Sequence, residues 1–569
     1  MGLWVFAGPL RTICTRTSPT TVERSPKAPH HTLAPKDAPR LPHASDCSRP
    51  VRYNPKLLQM KTSDSKGTST PQPDAALRPS VGGNERGAHA MPRGLVVALA
   101  IAIPVAYAFI INAGSLDSPP AWDSATTVSP AALTIVDRGF DIWEVAGLPS
   151  SLEGGPSIHA TSLYTIALAG LIWLVGSSTA FYVTHVVSIL LVGALCAATY
   201  LLARLRASAP VSALCAVTVG IIPLVVQQGS DVYLDLPLAV VVTLAAWAAI
   251  RRDFRLTSVL VILGVAIKTS GVFLIPLLFW AKPESRSSRR HLRFATGATA
   301  LALLPFAAAF VNTTRFDNSD GLLSGALTLV GSSAAMLFET LDLFIILSIY
   351  LLVTYSRARS HTLDRPSLVT ATMVASFFVV YGGTMILSRT IAILPRYYIA
   401  ILPALLASLL PREQPDGRTA PKARMVGIGL VSALAMFSLI NVRGDFYPLP
   451  NNEFYVLAER STRAQELLEL QVAGTQELVA TDLPLIVDGP THFRLAYPDL
   501  GYVDDPSNSV ITTYEAPPDL PDEFAMLIER RFGNVLVGIE ERAKAEGYTL
   551  EYRDITLGGF GSELIVASR

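Results

Sequence analysis

Two aspartates stand at the edges of long apolar runs. Asp123 lies in "SPPAWDSATTVSPAALTIVDRGFDIWE", which begins at Ser118, and Asp235 lies in "QQGSDVYLDLPLAVVV", which begins at Gln227. An ionisable residue beside a membrane-like segment is costly unless it meets water or a polar cavity, so each is a functional candidate by default. Two carboxylates from separate loops, gathered at one interface, could serve as a general base and as a positioning or divalent-cation-binding group. The plainer alternative is that each is a solvated boundary residue.

The elements that must position them are hydrophobic helices. The chain has 569 residues, 50% of them hydrophobic and 16% charged, with a mean hydropathy of +0.40. Soluble domains carry about 25% charged residues. Runs such as "GLVVALAIAIPVAYAFIINAG" from Gly94 reach the roughly 20 residues that a helix needs to cross a bilayer. The reading is a polytopic α-helical membrane protein. A formal net charge of +1 gives no reason to expect a nucleic-acid partner. Cys14 and Cys47 lie in a polar tail, while Cys196 and Cys215 lie inside apolar spans as small buried hydrophobes. Their spacing suggests neither a disulfide framework nor a zinc site.

Residues 1–93 are rich in Pro, Ser, Thr, Arg and His without apolar periodicity, and read as a disordered cytoplasmic tail. Met60 and Met91 are alternative starts, part of the tail then being an over-extended reading frame. Lys and Arg collect in cytoplasmic loops. Arg86 and Arg93, "RLR" at Arg204, "RRDFR" at Arg251, "KPESRSSRRHLR", "SRARSHTLDR" and "PREQPDGRTAPKAR" therefore mark the inside. Between them run spans near Ala180–Ala203, Pro210–Val226 and Leu236–Ile250, and a short pair at Leu256–Ile267 and Val272–Trp280. The expectation over 94–441 is about eleven spans, amino terminus in and carboxy terminus out. "TSLYTIALAGLIWLVG" from Thr161 is short, and its Tyr164 and Trp173 suit an interfacial helix. Ser129-Pro130 reads as a helix N-cap followed by proline, placing Asp123 in a first external loop. Asp235 begins the fourth span, at its positive dipole end.

Residues 442–569 read as an external α/β domain. Phe454–Leu470 is an expected amphipathic helix, and "ELVATDLPLIVDG" holds short strand candidates. Asn534–Glu546 is an expected helix ended by Gly547. "YTLEYRDITLGGFGSELIVAS" reads as a hairpin turned by "GGFG".

Five short motifs, in order, resemble the GT-C class of membrane glycosyltransferases, in particular the protein O-mannosyltransferase and aminoarabinose-transferase superfamily. "AWDSA" carries the acidic position at Asp123, with Ser124 where that family often has Glu. "SIHATSLY" matches a His-Pro-Pro-Leu-Tyr motif at His159 and Tyr164, without its prolines. "YLDLPLA" holds Asp235, "GVAIKTSG" holds Lys268, and "PRYYIAILPALLASLL" holds Arg396 and Tyr397. The resemblance spans about Leu95 to Asn441.

It implies transfer of a sugar from a polyprenyl-phosphate-linked donor to a lipid, glycan or protein acceptor at the external face of the cell membrane, with inversion at the anomeric carbon. Asp123 is then the catalytic base, with Asp117 as the fallback, and Asp235 the second catalytic carboxylate, with Asp231 as a weaker rival. Lys268, snorkelling from the outer tip of its hairpin, and Arg396 would bind the phosphate, while His159 and Tyr397 would touch acceptor, headgroup or interface. A divalent cation is the one cofactor the carboxylates suggest. The competing class is a flippase for lipid-linked saccharides, although no repeat relates the two halves and the candidate charges gather at one face. The topology has a direct check. A reporter fused after Arg443 should be external and one at Arg289 cytoplasmic; both on one side would overturn the span parity.

Overall fold

The computed structural model describes residues 92–121, 124–148, 159–230, 232–282, 340–388, 394–412, 421–441, 464–506, 510–512, 519–529, 534–557 and 560–569, with a few isolated residues between 290 and 333. The amino-terminal tail and Asp231 lie outside the described residues, as do Trp122 and Asp123.

The helical part begins with α1 (Arg93–Asn112). A five-residue π-helical turn, Ser124–Val128, runs straight into α2 (Ser129–Asp137). Ser129 is therefore the first residue of α2 rather than its cap, and its neighbour Val128 is already helical. After α3 (Ile142–Ala146) and α4 (Leu163–Val175) comes α5 (Ser177–Ala203). The span expected over Pro210–Val226 is divided at Pro223 into α6 (Ala209–Ile221) and α7 (Pro223–Gln228), because proline has no N–H for the ladder and clashes with the preceding turn. Then follow α8 (Asp235–Ile250), α9 (Phe254–Ile267), a 3-10 turn (Thr269–Leu274) and α10 (Leu277–Trp280). Next are α11 (Leu341–Arg359), α12 (Arg365–Ser388), a second 3-10 turn (Pro395–Ala400), α13 (Leu402–Leu409) and α14 (Pro421–Ile440).

Three stretches, Arg93–Ser115, Ser177–Ala203 and Arg365–Gly383, are each helical, long and apolar enough to cross a membrane by length and composition. Several shorter apolar helices pack among them, and the chain is a membrane protein. Helix α1 lies against α5 and α6, and turns Ile103, Phe109 and Ile110 outward, a face that only an apolar medium covers without penalty. Its close approach to α6 requires Gly220, where an added Cβ would collide with Pro104 and the Cys196 sulfur. Cys196 and Cys215 are buried free thiols. Helix α4 has 13 residues, too few to span, and leaves Trp173 and Leu174 exposed, in keeping with an interfacial position.

The carboxy-terminal part is described from α15 (Ala464–Val479), which runs past the expected end at Leu470, while residues 454–463 of the expected helix lie outside the described residues. β1 (Leu485–Val487), α16 (Gly489–Ala496), β2 (Val510–Thr512), β3 (Glu523–Ile528), α17 (Asn534–Ala545), β4 (Thr549–Leu557) and β5 (Phe560–Ser568) complete it. The strands form one mixed sheet, ordered β2-β1-β3-β5-β4, with β1 parallel to its neighbours and β3, β5 and β4 antiparallel. Alternation along β3 sorts the core. Phe524, Met526 and Ile528 pack with Leu536, Ile539 and Ala543 of α17. Ala525 and Leu527 pack on the opposite face with Leu478 of α15 and Leu495 of α16. The result is a three-layer α/β/α unit. Gly547 takes the left-handed conformation expected after α17 (φ +87°). The hairpin is tighter than "GGFG" implied, since Leu557 already pairs with Phe560.

Both parts belong to one compact unit and are joined by polar contacts. Tyr502 donates from its hydroxyl to the Pro120 carbonyl at 3.0 Å, Ser177 donates to Asp499 at 2.7 Å, and the Thr134 and Tyr497 hydroxyls share a hydrogen bond at 3.1 Å.

At the far end of α5 and α6 the helices are clasped by Asp364. Burial pushes this carboxyl up, but hydrogen bonds from Ser367 and the neighbouring Arg206 and Arg357 outweigh that and hold it below its ordinary value. A carboxyl held low in the folded chain stabilises above its unfolded value, about 3.9, and that contribution is lost as pH falls through the lower folded value. Thermal unfolding in detergent should therefore show an acid limb that is shallower in Asp364→Asn than in the parent. Identical limbs would remove Asp364 as its source.

Candidate active site

Three interrupted helices meet at the site. The first interruption separates α7 from α8 and presents Tyr233 and Asp235. Asp235 is the first residue of α8, and its carboxylate does not cap that helix, so it is available for partners elsewhere. The second ends α9 at Lys268, whose backbone is extended (φ −149°, ψ 133°) before the 3-10 turn. Here the spacing of "GVAIKTSG" has a steric cause. Gly271 folds back onto Gly264 so closely that a Cβ would lie far inside contact with the Gly264 carbonyl group, and a backbone neighbour cannot swing aside. The third is the 3-10 turn that starts at Pro395 and carries Arg396 and Tyr397 against α7 and α8.

The side chains converge. Lys268 Nζ donates to Asp235 Oδ1 at 2.7 Å, and Arg396 Nε lies 3.7 Å from Asp235 Oδ2. The exposures are 2% for Asp235, 7% for Lys268 and 5% for Arg396. Two tyrosine rings bracket the cations. Lys268 Nζ stands 5.0 Å from the centre of the Tyr233 ring and 4.4 Å from that of Tyr397. Arg396 Cζ stands 5.0 Å and 5.3 Å from the same two rings. A ring face attracts a cation, the more so when both are desolvated. Tyr381 of α12 stacks on Tyr397 at 5.0 Å and shares a 2.7 Å hydrogen bond with Ser270. Lys268 is thus a buried partner in a charge cluster, not a snorkelling residue, because a carboxylate within direct reach offers more than a distant headgroup.

His159 joins the same wall, with its ring edge-on to Tyr233 at 6.1 Å. The turn it begins is tied down where Ser162 Oγ donates to the Ile267 carbonyl at 2.6 Å, one residue before Lys268. The structure therefore brings Asp235, Lys268, Arg396, Tyr397 and His159 together. Asp117 is not among them; it sits on an exposed turn whose neighbour Leu116 is held through its carbonyl by His185 at 3.0 Å.

Asp123 lies outside the described residues, but both flanks are described. On one side Pro120 is held by Tyr502. On the other, Ser124 Oγ donates to the Val232 carbonyl at 2.7 Å, next to Tyr233 and three positions before Asp235. Tyr502 is itself fully buried beneath the Arg494 guanidinium, 5.5 Å from its ring. Burial pulls Arg494 down, but Glu529, 2.8 Å away, and Tyr502 outweigh it and hold the group above its ordinary value.

Around Asp235 the donor set does not suit a divalent cation. Its two oxygens face Lys268 and Arg396, and no group of three His, Cys, Asp or Glu gathers among the described residues. Sequence reading passed over Tyr233, Tyr381 and Ser270 as site residues. Tyr233 was discoverable from its place two residues before Asp235; the others carried no signal.

No family model and no curated protein matches the chain. Among solved structures, its fold is similar to that of ArnT from Cupriavidus metallidurans. The crystal structure of ArnT bound to undecaprenyl phosphate is 13% identical, with a TM-score of 0.45 over 82% of this chain and 97% of that chain. The apo crystal structure gives a TM-score of 0.44 with the same identity and coverage.

The cluster makes a stability prediction. Asp235→Asn leaves two buried cations without their counter-charge and should destabilise the protein by about 3 kcal/mol or more. Adding Lys268→Met should recover part of that loss. Unfolding of the two single variants and the double variant in detergent measures the coupling, and strict additivity would mean the pair does not interact.

Proposed function

We propose that this chain is a glycosyltransferase that moves a sugar from a polyprenyl-phosphate-linked donor to an acceptor nucleophile at the external membrane face. The observation that carries the reading is the pair of cations, Lys268 and Arg396, fixed by Asp235 between two tyrosine rings. Glycosyl transfer from such a donor breaks the bond between the anomeric carbon and a phosphate oxygen, leaving negative charge on the departing lipid phosphate. Cations already oriented at that position stabilise the transition state without reorganising during the reaction. Holding two cations side by side requires a carboxylate while the donor is away, and Asp235 fills that role. Asp235 is then a positioning group for Lys268 and Arg396.

The base must be a carboxylate not already spent on a cation. We assign the role to Asp123, whose neighbour Ser124 is bonded beside Tyr233. It would take the acceptor's proton as the new bond to the anomeric carbon forms on the face opposite the leaving phosphate, which inverts that centre. Tyr397 is half-buried and offers an apolar wall to sugar or lipid, and His159 borders the same space. The resemblance of the five motifs to GT-C enzymes supports the same assignment.

Purified protein in nanodiscs, given a labelled polyprenyl-phosphate sugar, separates the roles. Asp123→Asn should lower turnover about a hundredfold or more with donor binding retained. Lys268→Ala should weaken donor binding about tenfold or more. Normal turnover in Asp123→Asn would show that another group is the base. Movement of the intact donor between leaflets with no transfer in any assay would favour the flippase reading.

A further inference from the structure

A second buried charge cluster, at the opposite end of the helices from Asp235, has no part in the chemistry above. Four chain segments build it. They are the turn between α5 and α6 with Arg206, the last turn of α11 with Arg357, the start of α12 with Asp364 and Ser367, and the residues after α13 with Arg412. Arg206 donates to Asp364 Oδ2 at 3.3 Å and to Ser367 Oγ at 3.2 Å. Arg357 donates to the Ser408 carbonyl at 2.9 Å and to the same Ser367 Oγ at 3.4 Å. Arg412 approaches the Asp364 oxygen already used by Arg206, at 3.9 Å.

Two guanidiniums thus pair with one carboxylate, and a third, that of Arg357, abuts it through Ser367. A clasp for helix ends needs one of them. Arg206 is only 5% exposed, and its buried Nε has no hydrogen-bond acceptor among the described residues. Burial pulls Arg206 down to about 10, and Arg357 and Arg412 push the same way against Asp364. Arg412 keeps 61% of its side chain exposed and forms the open side of the cluster. Arg251 and Arg252, at the end of α8, add exposed positive charge to the same end of the helices.

We propose that this cluster is a binding site for the phosphate of an anionic lipid headgroup. A phosphate diester supplies the missing negative charge, and its oxygens match the planar fork of a guanidinium. The arginines lie at the ends of membrane helices, where a headgroup is the phosphate source at highest local concentration, and basic pockets between such helices hold acidic headgroups.

Full-length protein in detergent tests the assignment, with phosphatidylglycerol, phosphatidylcholine and inorganic phosphate added separately. Thermal unfolding and native mass spectrometry are the readouts. Phosphatidylglycerol should raise the melting temperature and remain bound, while phosphatidylcholine does neither. Arg412→Gln, an exposed substitution that leaves the Arg206–Asp364 pair in place, should weaken phosphatidylglycerol binding about fivefold. Equal effects of the two lipids, or unchanged phosphatidylglycerol affinity in Arg412→Gln, would overturn the site. Full stabilisation by inorganic phosphate, with none added by the lipid, would overturn the lipid as its source.

Discussion

The bond between Lys268 and Asp235, 2.7 Å long and almost wholly buried, is the constraint around which the helical part is arranged. Desolvating either charge alone costs several kcal/mol, and the pair is tolerated only with good geometry and further polar partners. Here Arg396 and the faces of Tyr233 and Tyr397 supply them. None of these groups could reach the others from the middle of a regular helix. Each stands at an interruption, whether a proline, a glycine contact or a 3-10 turn. Irregular backbone inside a membrane protein persists only where protein or a polar cavity surrounds it, and Asp235, Lys268 and Arg396 are all buried in protein.

The same constraint explains why the carboxy-terminal unit is fastened where it is. Its buried Tyr502 holds Pro120, and Ser124 is bonded to Val232. Between these anchors the Ser124 and Ala125 amides donate back to the Ala121 carbonyl at 3.0 Å and 3.2 Å. The Arg494–Glu529 pair behind Tyr502 stiffens the first anchor through a sheet whose two faces are both packed.

Much of this was legible in the sequence, for identifiable reasons. Long apolar runs bounded by arginines marked α1, α5 and α8, because membrane helices impose length and charge rules on sequence. The hairpin of β4 and β5 was legible because Gly-Gly between alternating residues accepts the positive φ that a tight hairpin turn requires. Asp235, Lys268, Arg396, Tyr397 and His159 could be singled out as separate motifs. Their mutual contacts could not, since they lie far apart along the chain and only tertiary packing decides which charges pair. For the same reason Lys268 looked like an exposed anchor. Helix α15 runs past the expected end at Leu470, and Gly474 within it lies against Leu527 of β3, where a larger residue would crowd.

That pairing changes what the two aspartates can be. As sequence they are equivalent, each a lone carboxylate beside an apolar run. In the structure Asp235 is buried against two cations, 2.7 Å from Lys268 and 3.7 Å from Arg396, so its carboxylate is engaged in positioning them. Environment, not residue type, divides acid–base work between neighbouring carboxylates. In the function proposed above, the base is sought in a carboxylate outside the ion cluster but tied to its wall. The Ser124–Val232 bond ties the loop of Asp123 to that wall, beside Tyr233, whereas Asp117 faces solvent on its turn.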